Sequence, residues 1–282
     1  MNLCDERDLR ELLSRHGFRF SKSMGQNFLI DSAIPAAIAT ASGADASCGV
    51  LEIGPGVGAL TVELAKRAGK VIAIELDRAL IPILSETVGN LKNVEVVRGD
   101  ALKLDLSALA ERFDGLTPIV CANLPYNITS PILEKLILAP RFQSVTVMVQ
   151  KEVAERLSAP DGSGDGGAFS IFLQYHMDPQ ILFDVPRTAF APRPNVDSAV
   201  LRCTRRTRPA VEVADEPQFF RIVRGAFLLR RKTLVNSLSA ALPERSKEEI
   251  RTAVRSCGLA ENIRGERLTL QNFADLSRAL SE

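Results

Sequence analysis

The tetrapeptide Asn123-Leu124-Pro125-Tyr126 carries the most specific chemistry of this sequence, and it directly follows the apolar run 119–122. The Asn123 side-chain oxygen and the Leu124 main-chain carbonyl are two acceptors, and Pro125, which has a fixed φ and no N–H, helps to hold that carbonyl rigidly. Two acceptors on the N–H bonds of an adenine amine would favour a pyramidal nitrogen, whose lone pair is otherwise delocalised into the ring. Tyr126 offers a flat face on which such a base can stack, which is worth roughly 1–3 kcal/mol per base.

A purely structural interpretation of this tetrapeptide is also open. Pro125 could simply shape a turn before a helix, because Thr129-Ser130-Pro131 is a favourable helix start. Tyr126 could likewise be an aromatic residue of the core. Both interpretations predict a turn between a strand and a helix, and they differ in whether that turn faces a ligand.

A glycine turn and two acidic residues are typical of a nucleoside site. The segment Gly54-Pro55-Gly56-Val57-Gly58 leaves a predicted strand and enters a helix, and its glycines allow a ligand to approach the backbone closely. Glu75 ends the next strand, 21 residues after Gly54, where a carboxylate can accept hydrogen bonds from ribose hydroxyls. Asp100 follows the third strand and can accept a hydrogen bond from the amino group of adenine. These three loops predict an adenosine-shaped pocket.

Two alternatives compete for the glycine turn. It could be no more than a tight connection between a strand and a helix. The spacing Gly54-x-Gly56-x-x-Ala59 also fits the dinucleotide fingerprint loosely, so a nicotinamide-dependent dehydrogenase is a second hypothesis. The dehydrogenase hypothesis leaves residues 123–126 without a role, which favours the adenosine pocket.

Other catalytic chemistries find little support in the sequence. His16 and His176 are the only histidines, and there is no HExxH, GxSxG or Walker motif. The five cysteines are scattered 44 or more residues apart, unlike a disulfide framework or a CxxC metal site. We therefore expect no metal and a reducing, cytoplasmic location.

The elements that position these motifs alternate along the first two thirds of the chain. Predicted strands occupy residues 49–53, 70–75, 94–97, 118–122 and 144–149, with helices between them, for example over 58–67 and 78–86. This alternation predicts an α/β fold, Rossmann-like, in which a mostly parallel sheet has helices on both faces and binds ligands at the carboxyl ends of its strands. Further strands are predicted over residues 169–175, 180–185 and 196–203, which would make the far edge antiparallel.

The last part of the chain changes to helical periodicity. Helices are predicted over 215–229, 232–241, 246–257 and 267–280, which indicates a domain 1–208 followed by a small all-α domain 209–282. The segment 161–167 is rich in glycine, and we interpret it as a surface loop, with a substrate-gating lid as the alternative.

The charge is distributed unevenly between the two ends. The net charge is +1, but residues 187–282 hold 18 Lys and Arg against 11 Asp and Glu, whereas residues 1–186 hold 17 against 23. A basic end suggests a polyanionic partner, although a solvated helical surface would have the same composition. No run of eighteen apolar residues and no secretion-like start occurs, so we expect a protein without membrane association.

Taken together, the motifs resemble those of the ribosomal RNA adenine N6-dimethyltransferases. They occur in family order from about residue 14 to the end, and the late ones favour the KsgA-type branch, which modifies small-subunit rRNA. The matching stretches are 23–29, 51–61, Glu75, 99–101, 123–126, 149–157, 190–200, 227–234 and 267–273.

The resemblance implies S-adenosylmethionine as the methyl donor and assigns roles to individual residues. It implies that the cofactor is bound by Gln26, Asn27, Leu29, Gly54, Gly56, Glu75, Leu76, Asp100, Ala101 and Asn123. It implies a catalytic set of Asn123, Leu124, Pro125, Tyr126 and Phe190, in which Tyr126 and Phe190 sandwich the target adenine. Phe190 could instead be a core residue, because phenylalanine is usually buried.

The resemblance also implies the substrate and the partner. The family adds two methyl groups to each of two adjacent adenosines near the 3′ end of small-subunit rRNA, and a role as a late ribosome-assembly factor is expected beside catalysis. The basic C-terminal part would hold RNA phosphates, with 205–208 and 230–232 as candidates, and we expect a monomer. Two alternatives stay open: a large-subunit rRNA methyltransferase of the antibiotic-resistance branch, and a non-catalytic RNA-binding assembly factor.

Overall fold

The computed structural model of the chain describes residues 1–19 and 26–281. The chain forms two compact units, each made of two segments. The first unit comprises Met1–Ala154 and Gln180–Arg205, and the second comprises Glu155–Pro179 and Arg206–Glu282. The second unit therefore contains, besides the C-terminal helices, a segment that lies before residue 208 in the sequence.

The strands of the described residues form one large sheet and one small one. In chain order they are β1 Phe28–Leu29, β2 Cys48–Ile53, β3 Lys70–Glu75, β4 Val94–Arg98, β5 Thr117–Asn123, β6 Ser144–Gln150, β7 Met177–Val185, β8 Phe190–Ala191 and β9 Ser198–Arg205. The large sheet has the order β4-β3-β2-β5-β6-β9-β7, and β1 pairs with β8 separately. Strands β2 to β6 are parallel, whereas β9 runs antiparallel to β6. The predicted α/β fold with an antiparallel edge is confirmed.

Helices precede and connect the parallel strands of the first unit. They are α1 Glu6–Arg15, α2 Ala33–Ala41, α3 Ala59–Ala65, α4 Ile81–Val88, α5 Leu106–Glu111 and α6 Thr129–Leu138, and α7 Lys151–Ser158 follows β6. All six residues of β2 are buried, as expected for a central strand that is covered on both faces. Asp5 and Asp105 cap α1 and α5, because each carboxylate accepts two N–H groups of the first turn.

The order of the strands reverses beside β2. The chain moves from β2 outward through β3 and β4, then returns to place β5 on the other side of β2. Because Leu51 of β2 lies opposite Val120 of β5, the loops that follow these two strands are neighbours. A reversal of this kind opens a crevice at the carboxyl ends of the strands, where ligands of such sheets bind.

Residues 169–175, predicted as a strand, form a helix instead. This helix, α8 (Ala168–His176), begins where the Gly167 N–H donates to the Ser170 hydroxyl at 3.1 Å. Ile171 and Tyr175, one turn apart, belong to the core of the helical unit, whereas Leu173 is buried outside that cluster. A helix that is buried on more than one side has no clear apolar period, which is why its sequence resembles a buried strand.

The C-terminal helices of the second unit lie close to their predicted positions. They are α9 Glu216–Ala226, α10 Leu234–Ala241, α11 Lys247–Ser256 and α12 Leu270–Ala279. Each begins at a capping residue whose side chain accepts an N–H of the first turn, namely Asp215, Thr233, Ser246 and Thr269. They enclose an apolar core around fully buried residues such as Phe219 and Phe273.

The glycine-rich segment 161–167 is packed onto its own unit. The Asp161 carboxylate accepts the N–H of Leu270 at 2.8 Å, and the Arg267 guanidinium donates to the Ser163 carbonyl at 2.6 Å. These contacts support a surface loop and give no indication of a gating lid. Among the described helices, none combines the length and the apolar character that a bilayer crossing would require.

Candidate active site

A cavity of about 230 Å³ lies at the carboxyl ends of the central parallel strands. It is lined by every residue that the sequence predicts to bind the cofactor: Gln26, Asn27, Leu29, Gly54, Gly56, Glu75, Leu76, Asp100, Ala101 and Asn123. The predicted adenine-side residues line the same cavity: Leu124, Pro125, Tyr126 and Phe190. Three preceding residues of the N-terminal motif, Ser23, Met24 and Gly25, lie outside the described residues. The structure thus brings the described candidates from six separate segments to one place.

The glycine turn after β2 forms the floor of the cavity. Gly54 and Gly56 have φ values of 71° and 61°, a region that side-chain-bearing residues rarely adopt. A Cβ at Gly56 would lie 3.1 Å from the ring of Phe28, so a side chain there would also press into the cavity wall. Glycine adopts this backbone conformation without strain, whereas another residue would be strained. It also leaves the backbone accessible to a ligand.

Glu75, at the end of β3, presents its carboxylate to the cavity while only 6% of the residue is exposed. Its two oxygens accept the N–H of Asp77 at 2.8 Å and the N–H of Gly56 at 3.3 Å. Burial raises the pKa of Glu75, and the two N–H groups act in the opposite direction. Gln26 reaches the same loop, because its side-chain amide donates to the Asp77 carboxylate at 2.7 Å.

The loop after β4 carries Asp100 and is fixed from a neighbouring helix. The Asp100 carboxylate accepts the N–H of Leu102 at 2.9 Å, which holds it in a turn. The ammonium group of Lys135, in α6, donates to the carbonyls of Leu102 and Leu104 at 2.8 and 2.5 Å. The loop that carries Asp100, the predicted acceptor for an adenine amine, is therefore fixed by charge-assisted hydrogen bonds from Lys135.

A short ladder joins the N-terminal segment to the segment that carries Phe190. In the antiparallel pair β1–β8, Phe28 lies opposite Ala191 and Leu29 opposite Phe190. The N–H of Ile30 extends this ladder by donating to the carbonyl of Ala189 at 2.8 Å. One two-stranded element therefore holds a predicted cofactor residue, Leu29, beside a predicted adenine-stacking residue, Phe190.

The loop after β5 lines the same cavity with the residues of the tetrapeptide 123–126. Asn123 ends β5, and Leu124 is almost fully buried, with its N–H bonded to a carbonyl of β6. Pro125 has φ −58°, as its ring requires. Tyr126 is half-buried, and its hydroxyl lies 2.7 Å from that of Ser198. Burial raises the pKa of Tyr126, so its hydroxyl keeps its proton.

The cavity contains one acidic residue that the site prediction missed. Glu52 lies within β2, is 1% exposed and lines the cavity. Burial raises its pKa to about 8; the neighbouring Thr61 hydroxyl acts in the opposite direction, and the charge of Glu75 adds to the rise. Glu52 is therefore largely protonated at neutral pH. The signal was available, since a carboxylate in an otherwise apolar strand is unusual.

This arrangement agrees with a family comparison that covers almost the whole chain. The model of the family described as ribosomal RNA adenine dimethylase matches residues 17–281. The chain belongs to this family. It is therefore an rRNA adenine dimethylase with a Rossmann-like fold, which confirms the resemblance drawn from the motifs and excludes the dehydrogenase hypothesis.

Individual relatives cover the dimethylase over its full length. A protein of Geobacillus thermodenitrificans named ribosomal RNA small subunit methyltransferase A is 48% identical over 277 residues, which is 96% of this chain and 94% of the relative. A protein of Streptococcus gordonii with the same name is 47% identical, with 99% and 98% covered.

Solved structures show the same architecture at lower identity. The 23S rRNA methyltransferase ErmE is 27% identical with a TM-score of 0.71, and the match covers 90% of this chain and all of that one. A dimethyladenosine transferase from Plasmodium falciparum is also 27% identical, with a TM-score of 0.72 and 88% and 95% covered. Both solved structures therefore share the fold of this chain.

Two of the arginines proposed to hold RNA have structural partners in this dimethylase. Arg205 is partly buried, and its guanidinium donates to four main-chain carbonyls within and just after the end of α6, at 2.8 to 3.2 Å. Arg206 donates to the carbonyls of Gln174 and Met177 and contacts the Asp178 carboxylate. These contacts give both arginines a structural role, and their binding to phosphate stays a prediction, whereas the exposed residues 230–232 stay available to a ligand.

Proposed function

We propose that this chain transfers methyl groups from S-adenosylmethionine to the N6 amines of two adjacent adenosines near the 3′ end of small-subunit rRNA. The observation that carries the proposal is the joint lining of one cavity by the Asn123–Tyr126 loop and by the turn at Gly54–Gly56 with Glu75. The residues suited to bind a nucleoside therefore line the same cavity as two acceptors suited to an adenine amine.

The residues present fit S-adenosylmethionine. The glycine turn offers the open backbone that a Cβ at Gly56 would obstruct. Glu75, held by two N–H groups, would accept the ribose hydroxyls, and Asp100 would accept the adenine amine. Leu76 lines the cavity with half of its surface exposed and would cover one face of the adenine ring. A bound sulfonium cofactor would supply an electrophilic methyl carbon.

The target adenine would occupy the side of the cavity at the end of β5. Tyr126 and Phe190 would hold the base between their rings, while the Asn123 oxygen and the Leu124 carbonyl accept from its amine. This geometry would localise the nitrogen lone pair and direct it toward the methyl carbon. The protein's contribution is then positioning and hydrogen bonding. No general base is required, because the methylated aminium is acidic enough to lose its proton to water.

Small-subunit rRNA is favoured over large-subunit rRNA by the pattern of similarity. Relatives named for the small subunit are 45–48% identical, whereas the 23S methyltransferase ErmE is 27% identical. The exposed basic residues Arg230, Arg231 and Lys232 of the helical unit would contribute phosphate contacts. A role in late assembly of the subunit follows from binding to that RNA and belongs to the same proposal.

The test compares Asn123→Ala with wild type on unmethylated small subunits, using labelled S-adenosylmethionine. We expect wild type to label two adjacent adenosines, and the variant to lose methyl transfer while subunit binding stays within about twofold. Exposed Asn90→Ala is the matched control and should retain full activity. Methylation by Asn123→Ala at the native rate would contradict the mechanism, and small subunits left unlabelled by wild type would contradict the substrate.

Primer extension on small-subunit rRNA from cells lacking the protein tests the substrate independently. Two adjacent stops near the 3′ end should be lost and should return on complementation with wild type. Complementation with Asn123→Ala separates the two roles, because an assembly function that needs only binding would be restored without the stops.

A further inference from the structure

Tyr126 is tethered at its hydroxyl by a residue of β9, the antiparallel strand that pairs with β6. Its hydroxyl lies 2.7 Å from the Ser198 hydroxyl, 72 residues away in the sequence. Ser198 is completely buried and begins β9, where it lies opposite Gln150, the last residue of β6. The tether therefore runs from a rigid strand pair to a ring that lines the cavity.

The backbone that carries the Ser198 hydroxyl is itself held in a fixed position. The main-chain carbonyl of the preceding Asp197 accepts the N–H of Lys151 at 3.0 Å, and its carboxylate accepts the N–H of Arg187 at 2.8 Å. Strand pairing and these two bonds fix the backbone on both sides of Ser198. The main chain that carries the hydroxyl therefore does not shift to follow the tyrosine.

The ring of Tyr126 needs such a partner more than that of Phe190. Phe190 is 3% exposed and its backbone is fixed by pairing with Leu29. Tyr126 is only half-buried and stands on a single short 3-10 turn, Tyr126–Ile128. Without its hydroxyl bond, the tyrosine ring could reorient about its side-chain torsions, whereas the opposite wall would stay in place.

We propose that Ser198 is a positioning residue for methyl transfer, which acts through Tyr126 by fixing the plane of the ring against which the target adenine stacks. The inference rests on the proposed function, since it presupposes that Tyr126 stacks the adenine. Ser198 itself touches neither the base nor the cofactor. Its contribution belongs to the orientation of the amine relative to the methyl carbon, where a displacement of about 1 Å can cost about 100-fold in rate.

The test measures single-turnover methylation of small subunits by Ser198→Ala, Tyr126→Phe and the double variant. Each single variant removes the same hydrogen bond, so each should lower the rate by about 10- to 100-fold. The double variant should be no slower than the slower single variant, because the bond can be lost only once. Affinity for S-adenosylmethionine by calorimetry and for subunits by sedimentation should change by less than about twofold.

Ser144→Ala is the matched control. Ser144 is also a buried serine of this sheet, but it begins β6 and does not line the cavity. This variant should methylate at the native rate, and urea denaturation of all variants should separate loss of rate from loss of folded protein. A merely structural role of Ser198 would lower stability and cofactor affinity together with the rate.

Three outcomes would overturn the inference: a native rate in Ser198→Ala, a native rate in Tyr126→Phe, or losses that multiply in the double variant. Each is distinguishable from failure of the proposed function. If wild type methylates and Asn123→Ala does not, the function stands and only the role of Ser198 is lost. If wild type fails to methylate adenosines of the small subunit, the proposed function itself fails.

Discussion

At the scale of single residues, the cavity holds two buried glutamates whose carboxyls are compensated to different extents. Glu75 is buried but compensated by two N–H donors, whereas Glu52 lies deeper, and burial dominates its pKa. The two carboxyls therefore differ in what they can do. Glu75 can serve as an acceptor for a ligand, while Glu52 is a neutral group that keeps a second negative charge away from the floor of the cavity.

The protonation of Glu52 should make stability depend on pH. Its pKa rises on folding from 4.5 to about 8, so the folded state retains a proton that the unfolded state releases. The contribution of Glu52 to the free energy of unfolding should therefore be most favourable below pH 4.5 and fall as the pH rises to about 8, by at most about 1.4 kcal/mol per pH unit.

Urea denaturation of Glu52→Gln at pH 5, 6.5 and 8 tests this prediction. The variant carries no titrating proton here, so its stability should fall less than that of wild type over this range. Glu11→Gln, at an exposed position, is the matched control, because its pH profile should follow the other titrating groups as that of wild type does. Parallel pH profiles of wild type and Glu52→Gln would contradict the assignment of a raised pKa.

At the scale of elements, helix ends and short ladders hold the loops of the site. Lys135 of α6 fixes the loop after β4, and Arg205 of β9 satisfies carbonyls at the end of α6, which the helix itself cannot satisfy. The same helix thus supports an acceptor loop through Lys135 and depends on Arg205 of the antiparallel strand β9. Both basic side chains therefore stabilise the structure around the cavity.

Arg205→Met should reveal this structural role. Methionine retains an apolar stem but leaves the carbonyls at the end of α6 without their donor, so the free energy of unfolding should fall by about 2–3 kcal/mol. Urea denaturation measures the loss. The salt dependence of RNA binding by the folded variant should equal that of wild type, and a reduced dependence would instead support contact of Arg205 with phosphate.

Motifs at strand ends could be predicted from the sequence, whereas contacts made across the fold could not. Glycines and acids such as Gly54, Glu75 and Asp100 mark strand ends by residue type alone, and the parallel sheet necessarily gathers them. The Tyr126–Ser198 bond depends on the register of β9 against β6, which no local pattern specifies. Likewise, α8 was predicted as a strand because burial on more than one side removes the helical period.

At the scale of the whole molecule, the cavity and the exposed basic cluster belong to different units. The described cavity is lined by residues of the first unit, and residues 230–232 form an exposed basic cluster on the second. The excess of positive charge toward the C-terminus therefore includes the exposed residues 230–232, which do not stabilise the fold in the way that Arg205 does. Binding to a polyanion should depend on them.

The triple variant Arg230→Ala, Arg231→Ala, Lys232→Ala should bind small-subunit rRNA less tightly. If each cation neutralises one phosphate, the slope of log K against log salt should become shallower by about 2–3. The slope is obtained by measuring the binding affinity at salt concentrations between about 50 and 200 mM. The stability of the variant should be unchanged.

Its charge-matched control removes three arginines of the same unit, Arg221, Arg251 and Arg255. These already form ion pairs with acidic partners, Glu244, Glu248 and Glu261. Their loss should alter the salt slope much less than loss of residues 230–232. Equal slopes for the two triple variants would show that only net charge matters.

The pairing of Phe28–Leu29 with Phe190–Ala191 joins segments about 160 residues apart in the sequence. During translation, the early strands can therefore assemble before the wall that carries Phe190 has left the ribosome, since N-terminal regions fold first. A nascent or prematurely terminated chain ending before residue 190 would possess the glycine turn but lack the closing ladder. If Phe190 stacks the target adenine as proposed, each chain would acquire methylating competence only late in its synthesis, after this ladder has closed.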